Sequence, residues 1–334
     1  MSKKPNTVTW KAIIAKYQKQ SVARGIWQIV NTLVPYAGLW VMMYYAMNVS
    51  YWLLLPLILL AGGFLVRVFI IFHDCGHGSF FKSQKANHVL GSILGVLEFT
   101  PYFQWRWEHS VHHSTSGNLD KRGIGDVWIM TVKEYLESSK WKKIAYRFIR
   151  NPIILFGFGP LGLFFIKHRF STPKSPPRER RSVYWTNIGV LAMAVGMSSI
   201  FGWQAYLILQ SSVMLVAGSL GIWLFYVQHQ FEGVYWERSE NWDYLTAALE
   251  GSSFYRLPKV LQWFSGNIGF HHIHHLGPRI PNYNLEKCHQ SEEIFQKVPQ
   301  ITLWESLKAV NYRLYDEDNQ RFVGFGHLRL LRAA

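Results

Sequence analysis

The sequence predicts an all-α integral membrane helix bundle: four transmembrane helices in two hairpins, with interfacial helices and a cytoplasmic helical cap. Three observations predict it. Of 334 residues, 49% are hydrophobic and only 16% are charged, where soluble domains carry roughly a quarter charged. The apolar residues gather into runs long enough to cross a hydrocarbon core of roughly 30 Å as helices. Histidines cluster at helical spacing at the ends of those runs and in the segments that follow them.

The first 26 residues carry Lys3, Lys4, Lys11, Lys16, Lys19 and Arg24, with Trp10, Ile13, Ile14 and Tyr17 at helical spacing. That pattern reads as a basic helix on a membrane surface, the alternative being a solvated tail. No short apolar core with a small-residue cleavage site marks a removable signal peptide. Apolar runs follow at 27–47 and 51–72, joined only by Asn48, Val49 and Ser50. A second pair, 184–201 and 204–227, is joined by Gly202 and Trp203. Both turns are uncharged and basic residues crowd the segments outside the hairpins, so both termini are expected in the cytoplasm. Arg67 lies inside the second run and is expected to snorkel toward its cytoplasmic end. The shorter runs 89–103 and 152–166 contain several glycines and prolines and read as re-entrant or interfacial pieces. Residues 228–334 form the expected cap, in which Thr302 and Glu305 make a capping box ahead of a C-terminal helix. The whole chain, 1–334, reads as one domain.

The net charge of +15 suits anionic lipid headgroups or an acidic protein partner, and nucleic acid is not an expected partner once membrane segments are present. The only cysteines are Cys75 and Cys288. Neither a disulfide framework nor a cysteine-ligated zinc or iron–sulfur site can be built from them.

Nine of the fourteen histidines form a pattern: His73 and His77; His109, His112 and His113; His229; and His271, His274 and His275. Spacings of three and four put Cβ atoms roughly 5–6 Å apart on one helix face, close enough for imidazoles to share an ion. Two antiparallel hairpins bring all nine to the cytoplasmic mouth of the bundle, so the cap is expected to carry a metal site. Nine imidazoles exceed what one ion needs and predict a dinuclear centre. Imidazole suits zinc, copper, iron and nickel, but a catalytic zinc takes only about three protein ligands. The excess favours two redox-active ions, and a non-haem di-iron centre that can activate oxygen fits best. His272 is left open as a ligand, while His88, His168, His289 and His327 read as structural or surface residues. Asp74, Glu108, Asp120, Asp126, Glu232 and Glu250 lie near these segments, and some are expected to hold ligand N–H groups from behind.

The segments HDCGHGSF, HSVHH, SGNLDKRGIGDVW, QHQFEGVYW and GNIGFHHIHHLGPRIPNYNL closely resemble the integral-membrane fatty acid desaturases, above all the bacterial acyl-lipid (phospholipid) branch. Three histidine boxes in order and spacing make the signal specific, and the resemblance covers roughly residues 50–290. It implies that His73 and His77 form the first box, that His109, His112 and His113 form the second, and that His271, His274 and His275 form the third. His229 matches an additional ligand that acyl-CoA relatives place just after the last span. Those relatives carry an asparagine one turn earlier, where this chain has Phe225.

The resemblance implies an oxygen-dependent desaturase that removes hydrogen from adjacent methylenes of membrane-lipid acyl chains, leaving a cis double bond. Two Fe ions would be the cofactor, phospholipid acyl chains and O2 the substrates, and the cell (plasma) membrane the location. Each turnover needs two external electrons, and the chain has no haem-attachment motif, cysteine cluster or dinucleotide fingerprint. An external donor such as ferredoxin or flavodoxin is therefore expected, drawn to a basic face that includes 167–181. The alternatives are an acyl hydroxylase or another lipid or carotenoid oxygenase on the same scaffold and, more distantly, a membrane metal transporter. Transport would place the ligands inside the spans, near the bilayer midplane. Double-bond position, chain length and headgroup preference do not follow from the sequence.

Overall fold

The computed structural model describes residues 7–329 except Lys174; Lys3 and Lys4 lie outside the described residues. Among the described residues, four helices are long and apolar enough to cross a membrane: Val22–Met47, Tyr51–His77, Pro177–Phe201 and Trp203–His229. Each extends past its apolar run, because the polar residues at the ends continue the backbone hydrogen-bond ladder. Ser21 and Ser50 cap the first two by accepting from Arg24 N and Trp52 N, which satisfies a backbone donor the helix leaves free. Gly78 ends the second helix in the left-handed conformation, φ 67°, so the chain turns away directly after His77.

The second helix is the centre of the bundle. It packs against the first and fourth helices and against Gln84–Leu97. Gly62 allows the closest approach, since a Cβ there would lie 2.4 Å from the Val216 side chain of the fourth helix. The outer faces run the other way: Trp27, Val34, Trp52, Trp185, Leu191, Val195 and Ile208 are exposed. A soluble monomer rarely shows so much contiguous apolar surface, and a lipid environment accounts for it.

Gln84–Leu97 and Tyr102–Thr115 form a helical hairpin that turns at Phe99, φ 51°. Lys140–Ile149 and Ile153–Arg169 are bent by 61° at their break, as a broken span or a re-entrant piece would be. The segment after His229 carries short helices and, together with Met130–Thr131, forms two small sheets among the described residues. In one, β1 (Met130–Thr131) pairs parallel with β4 (Leu314–Asp316), which pairs antiparallel with β5 (Arg321–Val323). In the other, β2 (Phe254–Arg256) pairs parallel with β3 (Gln300–Thr302). Thr302 and Glu305 do form the expected capping box, but the helix it opens is a single turn, Leu303–Ser306, continued as a tighter turn through Asn311.

Two expectations are corrected. The N-terminal helix, Thr7–Ala15, does not present Trp10 and Ile14 to lipid. Both are buried in a cluster with Ile273, Leu276 and Ile280 of the cap, where Trp10 stacks on Tyr244. Arg67 does not snorkel to the surface. It is 7% exposed, bonds Thr32 Oγ1 at 3.1 Å and the Trp263 carbonyl, and lies 3.8 Å from the Trp263 ring centroid. The guanidinium thus ties the first two helices to Lys259–Phe264, just before the third histidine box.

Arg67→Ala should remove the charge-assisted hydrogen bonds to Thr32 and the Trp263 carbonyl together with the contact on the Trp263 ring, at a cost of about 2–4 kcal/mol. Thermal unfolding of the purified full chain in detergent should shift down by several degrees. Arg67→Lys should not restore it, because an ammonium lacks the planar fork that stacks on Trp263.

Candidate metal centre

Antiparallel hairpins place the C-terminal ends of the second and fourth helices on one side of the bundle, so His77 and His229 emerge together. His73 stands one turn before His77, and Tyr102–Thr115 and His271–Leu276 cross that mouth and supply the other six imidazoles. The nine residues expected from the sequence meet there in two groups. His73, His77, His109, His113 and His274 form one, and His112, His229, His271 and His275 the other; ring nitrogens within each lie within 4.8 Å of one another.

Helix geometry decides the partition. Every i, i+4 pair shares a group: His73 with His77, His109 with His113, and His271 with His275. The i+3 member of each triplet, His112 or His274, is turned to the other side and joins the other group. Both boxes therefore bridge the two groups, which fixes one group against the other.

Within the first group His73 Nε2 lies 3.1 Å from His274 Nε2, which lies 2.9 Å from His113 Nε2, itself 3.1 Å from His109 Nε2. In the second, His229 Nε2 lies 3.2 Å from His112 Nε2 and 2.9 Å from His271 Nε2. A ring nitrogen carries either one hydrogen or one lone pair. His274, His113 and His229 therefore cannot satisfy both close neighbours by hydrogen bonding. Nε2 of His77 and of His275 are buried with no hydrogen-bond partner among the described residues. A cation resolves both problems: nitrogens about 2.1 Å from a shared ion and at right angles to each other lie about 3.0 Å apart. The site can hold metal.

Electrostatics favours the ligand form. Burial, reinforced by neighbouring histidines, holds His109, His113, His271, His274 and His275 well below the ordinary histidine pKa, so they are neutral donors. Several rings are also held from behind. Asp126 Oδ1 lies 2.6 Å from His112 Nδ1, and the loop carrying it approaches through Gly125, φ 76°, where a Cβ would lie 2.7 Å from the Glu108 carbonyl. The Gly251 carbonyl accepts from His229 Nδ1 at 3.1 Å. Asp74 Oδ1 lies 3.4 Å from His73 Nδ1, while its Oδ2 accepts from Asn282 N and Nδ2, both at 2.9 Å. Such contacts fix the tautomer and aim Nε2 inward.

Of the six acidic residues considered, only Asp74 and Asp126 do this. Glu108 accepts from Thr172 Oγ1 and Gln104 Nε2, Asp120 pairs with Arg238 at 2.6 Å, and Glu232 and Glu250 are exposed. His272 stands apart from both groups, its Nε2 3.0 Å from His289 Nδ1 and 3.0 Å from the Phe295 carbonyl. His88 lies 3.2 Å from the Tyr102 hydroxyl, His168 3.2 Å from Thr100 Oγ1, and His327 3.3 Å from Asp316. Phe225 packs its ring 5.0 Å from His112 and 5.3 Å from His229, so it closes the second group with carbon. Sequence reasoning missed the Gly251 carbonyl, which has no side-chain signature, and Trp105, which stacks on His109 with ring centroids 4.5 Å apart. The Trp105 signal was its place one turn before His109 in the second box.

Comparison with known proteins agrees with this geometry. The fatty acid desaturase family profile matches residues 50–304. A fatty acid desaturase of Bacillus subtilis is 51% identical over 93% of this chain and 89% of its own length. An sn-1 acyl-lipid omega-3 desaturase (ferredoxin) of Synechocystis is 29% identical over 71% of this chain and 67% of its own. A protein of the same description from Nostoc is 28% identical over 78% and 76%. With the profile covering all three histidine boxes and well over half of the chain, this histidine-lined membrane bundle belongs to the fatty acid desaturase family.

Proposed function

We propose that the chain introduces a cis double bond into acyl chains of membrane lipids, with two Fe ions, one in each histidine group. The observation that carries this reading is the convergence of nine imidazoles, seven buried and two half-buried, whose ring nitrogens cannot satisfy one another. Five would hold one ion, His73, His77, His109, His113 and His274, and four the other, His112, His229, His271 and His275. All-imidazole ligation suits iron that changes oxidation state, and the desaturase relatives support iron over zinc. Bound iron supplies the capacity to use O2 as oxidant: two hydrogens leave adjacent methylenes, two electrons and two protons come from outside, and two waters are released.

The chain's own residues prepare that reaction. Asp126 and the Gly251 carbonyl hold the N–H of His112 and His229, leaving their Nε2 lone pairs free. Asn282 fixes Asp74 from one side and exchanges hydrogen bonds with Gln28 at 2.9 and 3.0 Å on the other, tying the His73 helix to the first span. Trp105 and Phe69 pack on His73, with Phe72 behind Trp105, and keep water from that side of the centre.

The uncharged turns at 48–50 and 202–203, with basic residues on the opposite side, support a plasma-membrane protein with both termini and the histidine centre in the cytoplasm. The whole chain acts as one domain in this reading, crossing at 27–47, 51–72, 184–201 and 204–227. The basic surface suits anionic lipid and an acidic ferredoxin or flavodoxin as electron donor, and relatives described as ferredoxin desaturases support the former.

Cells expressing the chain should gain an unsaturated fatty acid, read by gas chromatography with mass spectrometry of derivatised double bonds. The His113→Ala and His274→Ala variants should yield none while remaining in the membrane. Full product from either variant sinks the ligand assignment, and a hydroxylated product replaces desaturation with another oxidation. Asp126→Asn should lower iron affinity or activity by about 10- to 100-fold, since it leaves the His112 tautomer undefined. His272→Asn, measured beside it by elemental analysis of purified protein, should retain wild-type iron.

A further inference from the structure

Beside the first histidine group lies a partly open cavity of about 630 Å³ that touches His77 and His109. Lys11, Arg106 and Arg279 line it against a single carboxylate, Glu179. Lys11 and Arg279 are exposed and form no ion pair among the described residues. Arg106 gives its Nε to the Gly76 carbonyl at 2.9 Å, and its terminal nitrogens face no carboxylate among the described residues. Two residues of the wall also carry a buried, uncompensated polar atom. Trp10 is 6% exposed, and its indole N–H is buried without an acceptor among the described residues. Glu179 Oε2 is likewise buried and unpartnered.

Three cations against one carboxylate call for an anion that enters the cavity, while the carboxylate calls for a donor beside it. We propose that this cavity binds the headgroup of the acyl-lipid substrate, a phosphodiester whose outer substituent carries hydroxyl or ammonium donors. Phosphate oxygens accept from Lys11, Arg106 and Arg279, and the outer donor meets the Glu179 carboxylate. Trp105, Trp107 and Tyr244, which also line the cavity, supply the aromatic rim usual at a bilayer interface. The volume is that of a small-molecule site, and the cations line a hollow rather than a flat surface. A headgroup held here brings the attached acyl chain to His77 and His109. The assignment rests on the acyl-lipid reading above and names the headgroup chemistry that reading leaves open.

The test is isothermal titration of the detergent-purified full chain with dihexanoyl phosphatidylglycerol, dihexanoylglycerol and inorganic phosphate. The phosphatidylglycerol should bind about tenfold or more tightly than either of the others. Arg279→Ala should weaken it about tenfold, as loss of a charge-assisted hydrogen bond does. Lys11→Ala, which removes another of the three cations, should weaken it severalfold. Equal binding of the phosphate-free lipid, or unchanged affinity in both variants, overturns the proposal. Inorganic phosphate binding as tightly as the lipid also overturns it, by reducing the cavity to an anion site. So does an Arg279→Ala variant with normal lipid affinity but a raised KM for reduced ferredoxin, which assigns the surface to the electron donor. Binding is read without turnover, so headgroup binding by a chain that makes no unsaturated product rejects the desaturase reading and leaves this site standing.

Discussion

The structure depends on keeping nine imidazoles largely out of water and aimed at two points. Seven of their ring nitrogens, those of His73, His109, His112, His113, His229, His271 and His274, face another of their kind at about 3 Å, an arrangement that no set of hydrogen bonds among them can satisfy. Without a cation the cluster is a concentration of unsatisfied polar groups, and such groups in a dry site are costly. The centre is therefore the feature that the surrounding chain must hold in place.

The scaffold meets that demand with rigid elements rather than loops. All nine imidazoles stand on helices: the ends of two spans, one interfacial helix and one short cap helix. The boxes that contribute to both groups lock them together, so neither group can shift alone. The contacts behind the rings extend that rigidity outward, from His73 through Asp74 and Asn282 to Gln28 of the first span. Arg67 and Trp263 brace the same helices one layer deeper. The apolar faces left over point outward, where lipid replaces the missing protein neighbours.

Much of this was legible in the sequence, because bilayer thickness and helical periodicity are strong constraints. The four apolar runs correspond to four long helices, and the nine histidines chosen by spacing are the nine that meet. What was not legible depends on tertiary direction. Arg67 reads as a snorkelling residue near a helix end, yet Thr32 and Trp263, 35 and 196 residues away, give it partners inside. His272 has the same local spacing as its neighbours, and only the position of His289 and the Phe295 carbonyl shows that it faces away. Glu108 and Asp126 are equally plausible from sequence, and the Gly125 loop decides between them. Strands of two or three residues are too short to show any period, and the Gly251 carbonyl carries no signature at all.

The central claim is that two unlike histidine groups each hold one iron. Mössbauer spectroscopy of the reduced, iron-57-enriched protein tests it most directly, because five and four imidazoles impose different fields on the two nuclei. The account predicts two ferrous components of equal area. A single iron per chain, or two components whose areas shift with preparation, would contradict it.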